Sequence, residues 1–339
     1  MRRSRSGQDA GVSEILGVTM LLAMVVTVIG GVFVLIGPFL SDIDDNREWS
    51  AGSVAATQLN DRILTAAQSP EGTGLVQQNA QISRSMDPLR DAETWTVMAD
   101  LAGHDRTRVT LDGDIIAVTS QNRTAANVQV SSDNGTASFN LTNGEGNHTF
   151  NNLRGLVTIE VYDIHERLVH KFVRCDLDGV RLNNALTDGA FTVDLVNGAR
   201  IEKLPSDAID VRTFPRLKHD TLLDGTPRVS LVLLDIDIDS SASRRSATIN
   251  IDSIGQTTLY DSTARNLVIE VEVGGDESIE PQYIHHWSGD YKLFLAGGSL
   301  NEYEGFGPYA RLSGLDGLTL YPTDSPLELH IELQQVVIG

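Results

Sequence analysis

From Ile15 to Leu40 the chain carries no charged residue. As a helix this run of 26 positions would be about 39 Å long, at 1.5 Å per residue. A bilayer's hydrocarbon core needs roughly 20 apolar residues, so the run can span it with some length to spare. The apolar part of a cleaved secretory signal is only about 7–15 residues, too short to account for it. Arg2, Arg3 and Arg5 precede the run, and Asp42, Asp44 and Asp45 follow it. Basic flanks stay on the cytoplasmic side, so the remaining chain is expected outside. The reading is a single membrane-spanning helix with a large external domain.

The span mixes Val, Leu and Ile with small residues at Gly17, Ala23, Gly30, Gly31 and Gly37. Gly30 and Gly37 are seven apart and share a helix face. Small residues let helices approach closely in an apolar setting, although glycine is also common in membrane helices generally. Glu14 stands at the lip of the run. A carboxylate there is costly unless it reaches the interface or a partner.

The order Asp9-Ala10-Gly11-Val12-Ser13-Glu14-Ile15-Leu16-Gly17, followed at once by the Val/Leu/Ile helix, resembles the amino terminus of archaeal type IV pilin-like proteins, the haloarchaeal members above all. In that family a prepilin peptidase removes a short basic leader on the cytoplasmic side. The helix is kept and later packs in a filament core. The resemblance implies a leader of residues 1–11, with cleavage between Gly11 and Val12, or alternatively between Ala10 and Gly11. It implies a pilin-like helix over residues 12–40, with Glu14, Gly17, Gly30 and Gly37 as assembly residues. Glu14 would neutralise the mature amino terminus of a neighbouring subunit. The implied partners are the membrane, the prepilin peptidase, and other pilin-like subunits in a homo- or hetero-oligomer. The family usually has Lys or Arg two residues before the cut, whereas here Ala10 stands there and the nearest basic residue is Arg5. The resemblance covers about 30 of the 339 residues.

The formal net charge is −20, with 30 Asp against 16 Glu and 22 Arg against 4 Lys. An Asp-rich, Lys-poor surface suits a high-salt environment, where short carboxylates stay hydrated and salt screens their repulsion. An ordinary acidic surface protein is the other reading. Either way the balance argues against a nucleic-acid partner, which needs a basic patch to neutralise phosphates. Cys175 is the only cysteine, which excludes an intrachain disulfide and CxxC metal or redox sites.

Residues 41–68 keep a helical style, with Ala55, Ala56, Ala66 and Ala67 favouring helix and Leu59–Ile63 at stripe spacing. They prolong the apolar helix into the external domain until Ser69-Pro70-Glu71-Gly72 breaks it. The period then changes. Short runs such as Val109–Leu111, Ile115–Val118, Leu156–Tyr162, Leu168–Val173, Phe191–Val196, Val229–Ile238, Ala247–Ile251, Leu267–Val273 and Leu327–Leu333 read as strands, many alternating apolar with polar. The expected fold is α+β, mainly β. A long amino-terminal helix precedes an antiparallel β-sandwich domain over residues 69–339, with two β units and a sub-boundary near 198–226 as one possibility. Four sequons lie close together, at Asn122, Asn134, Asn140 and Asn147. An attached glycan requires an exposed loop of an exported domain. The alternative is a polar Thr/Asn-rich loop region that is never modified.

Catalytic and metal signals are weak. His165 and His170 lack zinc-protease spacing and, read as strand residues, point to opposite faces. His285-His286 is likewise an adjacent pair. Asp235, Asp237 and Asp239 line one face of a strand and read as a solvated acidic face rather than a cation site. The Gly-rich stretches at 297–299 and 305–307 lack a phosphate-loop setting. The aromatics Tyr283 to Tyr309 read as core packing with loop anchors, with an exposed adhesive surface as the alternative. No catalytic residue, metal or cofactor is assigned. The sequence points to a non-enzymatic cell-surface subunit in assembly or adhesion, a minor or tip pilin by the size of its external part. The alternatives are a surface binding protein on an uncleaved anchor, and an exported hydrolase. The last would require acidic or His residues from different strands to converge in one pocket.

Overall fold

The computed structural model describes residues 8–78, 85–101, 106–187, 189–204, 209–213, 215–239, 248–273, 310–313, 317–320 and 326–339. Arg2, Arg3, Arg5, His285-His286 and both Gly-rich stretches lie outside the described residues, as do the aromatics from Tyr283 to Tyr309.

One helix, α1, runs unbroken from Gln8 to Ala67. Its 60 residues make a rod of about 90 Å. It stops where Ser69-Pro70 follows: the residue before a proline is pushed out of the α region, and the Ser69 amide closes a last turn on the Ala66 carbonyl at 2.9 Å. From Leu16 to Ile36 the side chains are exposed. From Ser41 onward the same helix is fastened to the β domain.

In chain order the strands are β1 (Gly74–Gln78), β2 (Ser85–Leu101), β3 (Thr107–Asp112), β4 (Ile115–Ser120), β5 (Ala125–Ser132), β6 (Gly135–Asn140), β7 (Glu145–Thr149), β8 (Leu156–Asp163), β9 (Leu168–Leu186), β10 (Gly189–Val196), β11 (Ala199–Lys203), β12 (Ile209–Thr213), β13 (Arg216–Thr221), β14 (Pro227–Ile238), β15 (Thr248–Val273), β16 (Ala310–Ser313), β17 (Gly317–Leu320) and β18 (Leu327–Ile338). A 13-stranded sheet carries the path β12-β11-β10-β9-β2-β15-β18-β14-β13, with β1 on β15 and β8, β5 and β6 branching from β9. Among the described residues only β14 and β18 pair in parallel. A second sheet has the order β3-β4-β7, and β16 and β17 form a hairpin. The chain is thus a long apolar helix followed by a β domain. The main sheet of that domain is continuous through the described residues. The segment 198–226 supplies β11, β12 and β13, so it joins the two ends of the main path.

The long strands serve two cores. Strand side chains alternate between faces. On β14, Val229, Leu231 and Leu233 enter a first core, then Leu234, Ile236 and Ile238 enter a second. On β18 the change falls after Leu333, which pairs with Leu233 in register, and Val336 and Ile338 continue into the second core. On β9 it falls between Leu177 and Val180. The first core is enclosed as the sheet curls until β14 returns beside β9. There the Asp178 amide donates to Asp235 Oδ1 at 2.9 Å and the Leu234 amide to Asn197 Oδ1 at 2.9 Å. Asn197 tips the tight β10–β11 hairpin, with φ of 50° before Gly198 at 75°. The second core is covered by α1 through Ala56, Leu59, Ile63, Ala66 and Ala67. A third core, with Val109, Ile116, Val128 and Ile159, joins the three-stranded sheet to β5, β8 and the start of β9.

Candidate assembly helix and a polar groove

The helix is two things in one rod. Its first part is long and apolar enough to cross a membrane and none of that window is buried. A helix apolar on every side must be covered by lipid or by other protein. The backbone is helical through Ala10, Gly11, Val12 and Glu14. A methyl group added at Gly17, Gly30, Gly31 or Gly37 would meet no atom within 4 Å. Glycine costs a helix about 1 kcal/mol relative to alanine, and no contact among the described residues repays that at these four positions.

The second part is fixed. Asp45 accepts from the Thr187 amide at 3.0 Å, and Ser41 donates to Thr187 Oγ1 at 2.9 Å. Trp49 meets Phe191 edge to face at 6.4 Å. Ser53 donates to the buried carboxylate of Glu202 at 2.8 Å, and Arg200 donates to Thr57. Gly52 contrasts with the glycines above: a methyl there would lie 2.5 Å from Asn184 Nδ2 and 3.4 Å from the Phe191 ring. Its small size is explained within the chain, because the helix presses on β9 and β10 at that point.

The sequons all fall on the unit built around the third core, and the segment is strand and tight turn rather than loop. Asn134 sits in the β5–β6 turn, Asn140 ends β6 and Asn147 lies on β7, all three exposed. Asn122 follows β4 and is half-buried. Its Oδ1 accepts from the Thr124 amide at 3.0 Å and from the Thr124 hydroxyl at 2.8 Å.

Two sequence readings change. Of the acidic row at the end of β14, Asp235 is not solvated, whereas the Asp237 side chain is about half exposed and Asp239, just past the strand, is exposed. Asp235 accepts from the Asp178 amide and from Gln335 at 3.2 Å, while Arg90 bridges Asp237 and Asp178. Burial pushes the Asp235 carboxyl up to about 6 against those hydrogen bonds. The sheet's curl brings β9 and β2 over this part of β14, which the strand's own pattern does not reveal. His165 is not a strand residue opposite His170: it lies exposed in the β8–β9 turn, while His170 is buried on β9. No group of three or more potential metal ligands occurs among the described residues. Cys175 is buried and its thiol is pushed up by burial, away from the reactive thiolate form.

A groove of about 580 Å³ lies where β3 crosses the sheet formed by β15, β2 and β9. Paired rows floor it: Val268, Met98 and Phe172 side by side, then Glu270, Thr96 and Arg174. At one end Asp100 on β2 faces His170 on β9, with Oδ1 2.8 Å from Nδ1. Asp100 also accepts from the Arg106 amide at 2.7 Å, the Thr107 amide at 3.2 Å and Asn266 at 2.8 Å. Burial raises this carboxyl, but the hydrogen bonds from His170 and Asn266 outweigh it and hold the group below the usual carboxylate range. The ionised carboxylate accepts from Nδ1–H, which fixes the ring with Nε2 on the side away from Asp100. His170 is 2 % exposed and its Nε2 has no partner among the described residues. Sequence reading missed this pair because 70 positions separate its members, and only the β2–β9 register opposes them.

No protein family, curated protein or solved structure with which the chain was compared matches it.

Proposed function

We propose that the chain is a cell-surface type IV pilin-like subunit, cut before Val12. In this reading it assembles through its apolar helix and presents its β domain outside the cell. The observation that carries the reading is the division of α1: a half fastened to the domain from Ser41 on, and a half with glycines that no contact of its own explains. Neighbouring helices would supply those contacts, and Glu14 would meet the freed amino terminus of a neighbour. The domain's size favours a minor or tip subunit, and Asn122, Asn134, Asn140 and Asn147 are the glycan acceptors. The chemistry is binding and assembly, in an archaeal and halophilic setting.

A glycine pair on one face can be tested directly. With Gly30→Leu and Gly37→Leu together, cross-linked oligomers in native membranes should fall by about tenfold or more, since close backbone approach is lost. The amount of inserted chain should stay the same. Undiminished cross-linking would remove the helix from the assembly interface. The second reading is a surface binding protein on an uncut anchor, and Ala10 in the place of a basic residue favours it.

A further inference from the structure

The groove under β3 holds polar groups in search of partners. The side chains of Thr96, Arg108, Glu270 and Glu272 make no hydrogen bond among the described residues, with Arg108 drawing on the Glu270 carboxyl by charge alone, and all border the groove with the buried, unpartnered Nε2 of His170. Its lining is charge-balanced, with Arg106, Arg108 and Arg174 against Asp100, Glu270 and Glu272. In a chain of net charge −20 that balance is local. The site therefore concentrates neither anions nor cations. It offers many hydrogen-bond directions instead: hydroxyls, planar guanidinium forks and carboxylates that accept two donors each. Beside them runs the apolar strip Met98, Phe172 and Val268. The groove falls within the usual range of small-ligand sites, roughly 300–1,000 Å³.

We propose that this groove binds a neutral saccharide of one or two rings. Its hydroxyls pair with Thr96, Arg108, Glu270 and His170 Nε2, and its C–H face lies on the half-buried Met98 and Val268, which the buried Phe172 backs. Asp100 is a positioning residue here. It fixes the orientation of the His170 ring, and so where Nε2 meets the ligand hydroxyl. The inference stands apart from the assembly reading, because a cut or an uncut helix leaves the groove unchanged.

The test uses the full chain in detergent, applied to an array of neutral mono-, di- and trisaccharides beside acidic ones carrying carboxylates or sulfates. Two variants, Thr96→Val and Glu270→Gln, alter the lining without exposing Asp100 to an unpaired burial. The expected result is binding to a subset of neutral saccharides, weakened by about tenfold or more in each variant, with unchanged melting temperatures. Hydrogen-bonding sites lose affinity on that scale when one partner is removed. Three results would overturn the proposal: no neutral saccharide bound, binding only to the acidic ones, or variants that bind like the unaltered chain.

Discussion

Replacing Glu93 with glutamine should stabilise the β domain by about 3 kcal/mol above pH 7 and change it little near pH 4.5. Glu93 is fully buried where the curled sheet closes. Its Oε2 accepts from Trp95 Nε1 at 2.5 Å and from Asn197 Nδ2 at 3.0 Å, while Oε1 has no partner among the described residues. Burial pushes the carboxyl up to about 7, against the pull of those two hydrogen bonds. The unfolded chain releases this proton near 4.5, the folded chain only near 7. The folded state thus holds more protons between those values, and stability falls as pH rises through the window. Glutamine copies the protonated form and abolishes that part of the fall. Asp235, raised to about 6, works in the same direction, so a smaller decline remains in the variant. Urea midpoints of both proteins across the window check this. Parallel curves would show that Glu93 is not held as a neutral acid.

A single methyl group at Gly179 should cost about 3 kcal/mol, since overpacking a filled site forces its neighbours to move. An alanine Cβ there would lie 2.5 Å from Val196 Cγ2 and 2.8 Å from the Leu195 carbonyl oxygen. Val196 is itself buried and backbone cannot swing aside, so β9 and β10 would have to separate. The position matters because β9 passes there from the first core at Leu177 to the second at Val180. Urea denaturation of Gly179→Ala should show the loss at any pH. A change under about 0.5 kcal/mol, typical of an open surface site, would contradict the described packing.

The two predictions concern features that were legible to different degrees. The span from Ile15 to Leu40 is plain from its missing charges, and the docked continuation of the helix from its alanines and the Leu59–Ile63 spacing. Strands β14 and β18 are plain from alternation. The adjoining Leu233-Leu234 even records the change of core, because two apolar neighbours on a strand must face opposite ways. Strand β2 was hidden by Pro88, Arg90 and Asp91 near its middle, where the register with β9 shifts and Asp91 takes a φ of 47°. The two readable ends of β15 looked like separate strands, because the stretch joining them is mostly polar. Segments β5 to β7 looked like loop because their exposed faces are Ser, Thr and Asn. Asn197-Gly198 is a hairpin signal that could have been read, but nothing local says that its tip is buried against Glu93. The groove and the Asp100–His170 pair depend on strand order and register. Those are properties of the whole sheet and leave no trace in any short window.

The central claim concerns the amino terminus, and mass spectrometry of the amino-terminal peptide tests it most directly, on protein made in a haloarchaeal host with its own prepilin peptidase. A mature chain that begins at Val12, or at Gly11 by the alternative cut, is the result predicted here. It would mean that Ala10 is accepted in place of a basic residue and that the helix is free to leave the bilayer for an assembly. A chain that still carries Arg2, Arg3 and Arg5 would contradict it. Those charges cannot be drawn through the hydrocarbon core, and the helix would then be a permanent anchor for the β domain.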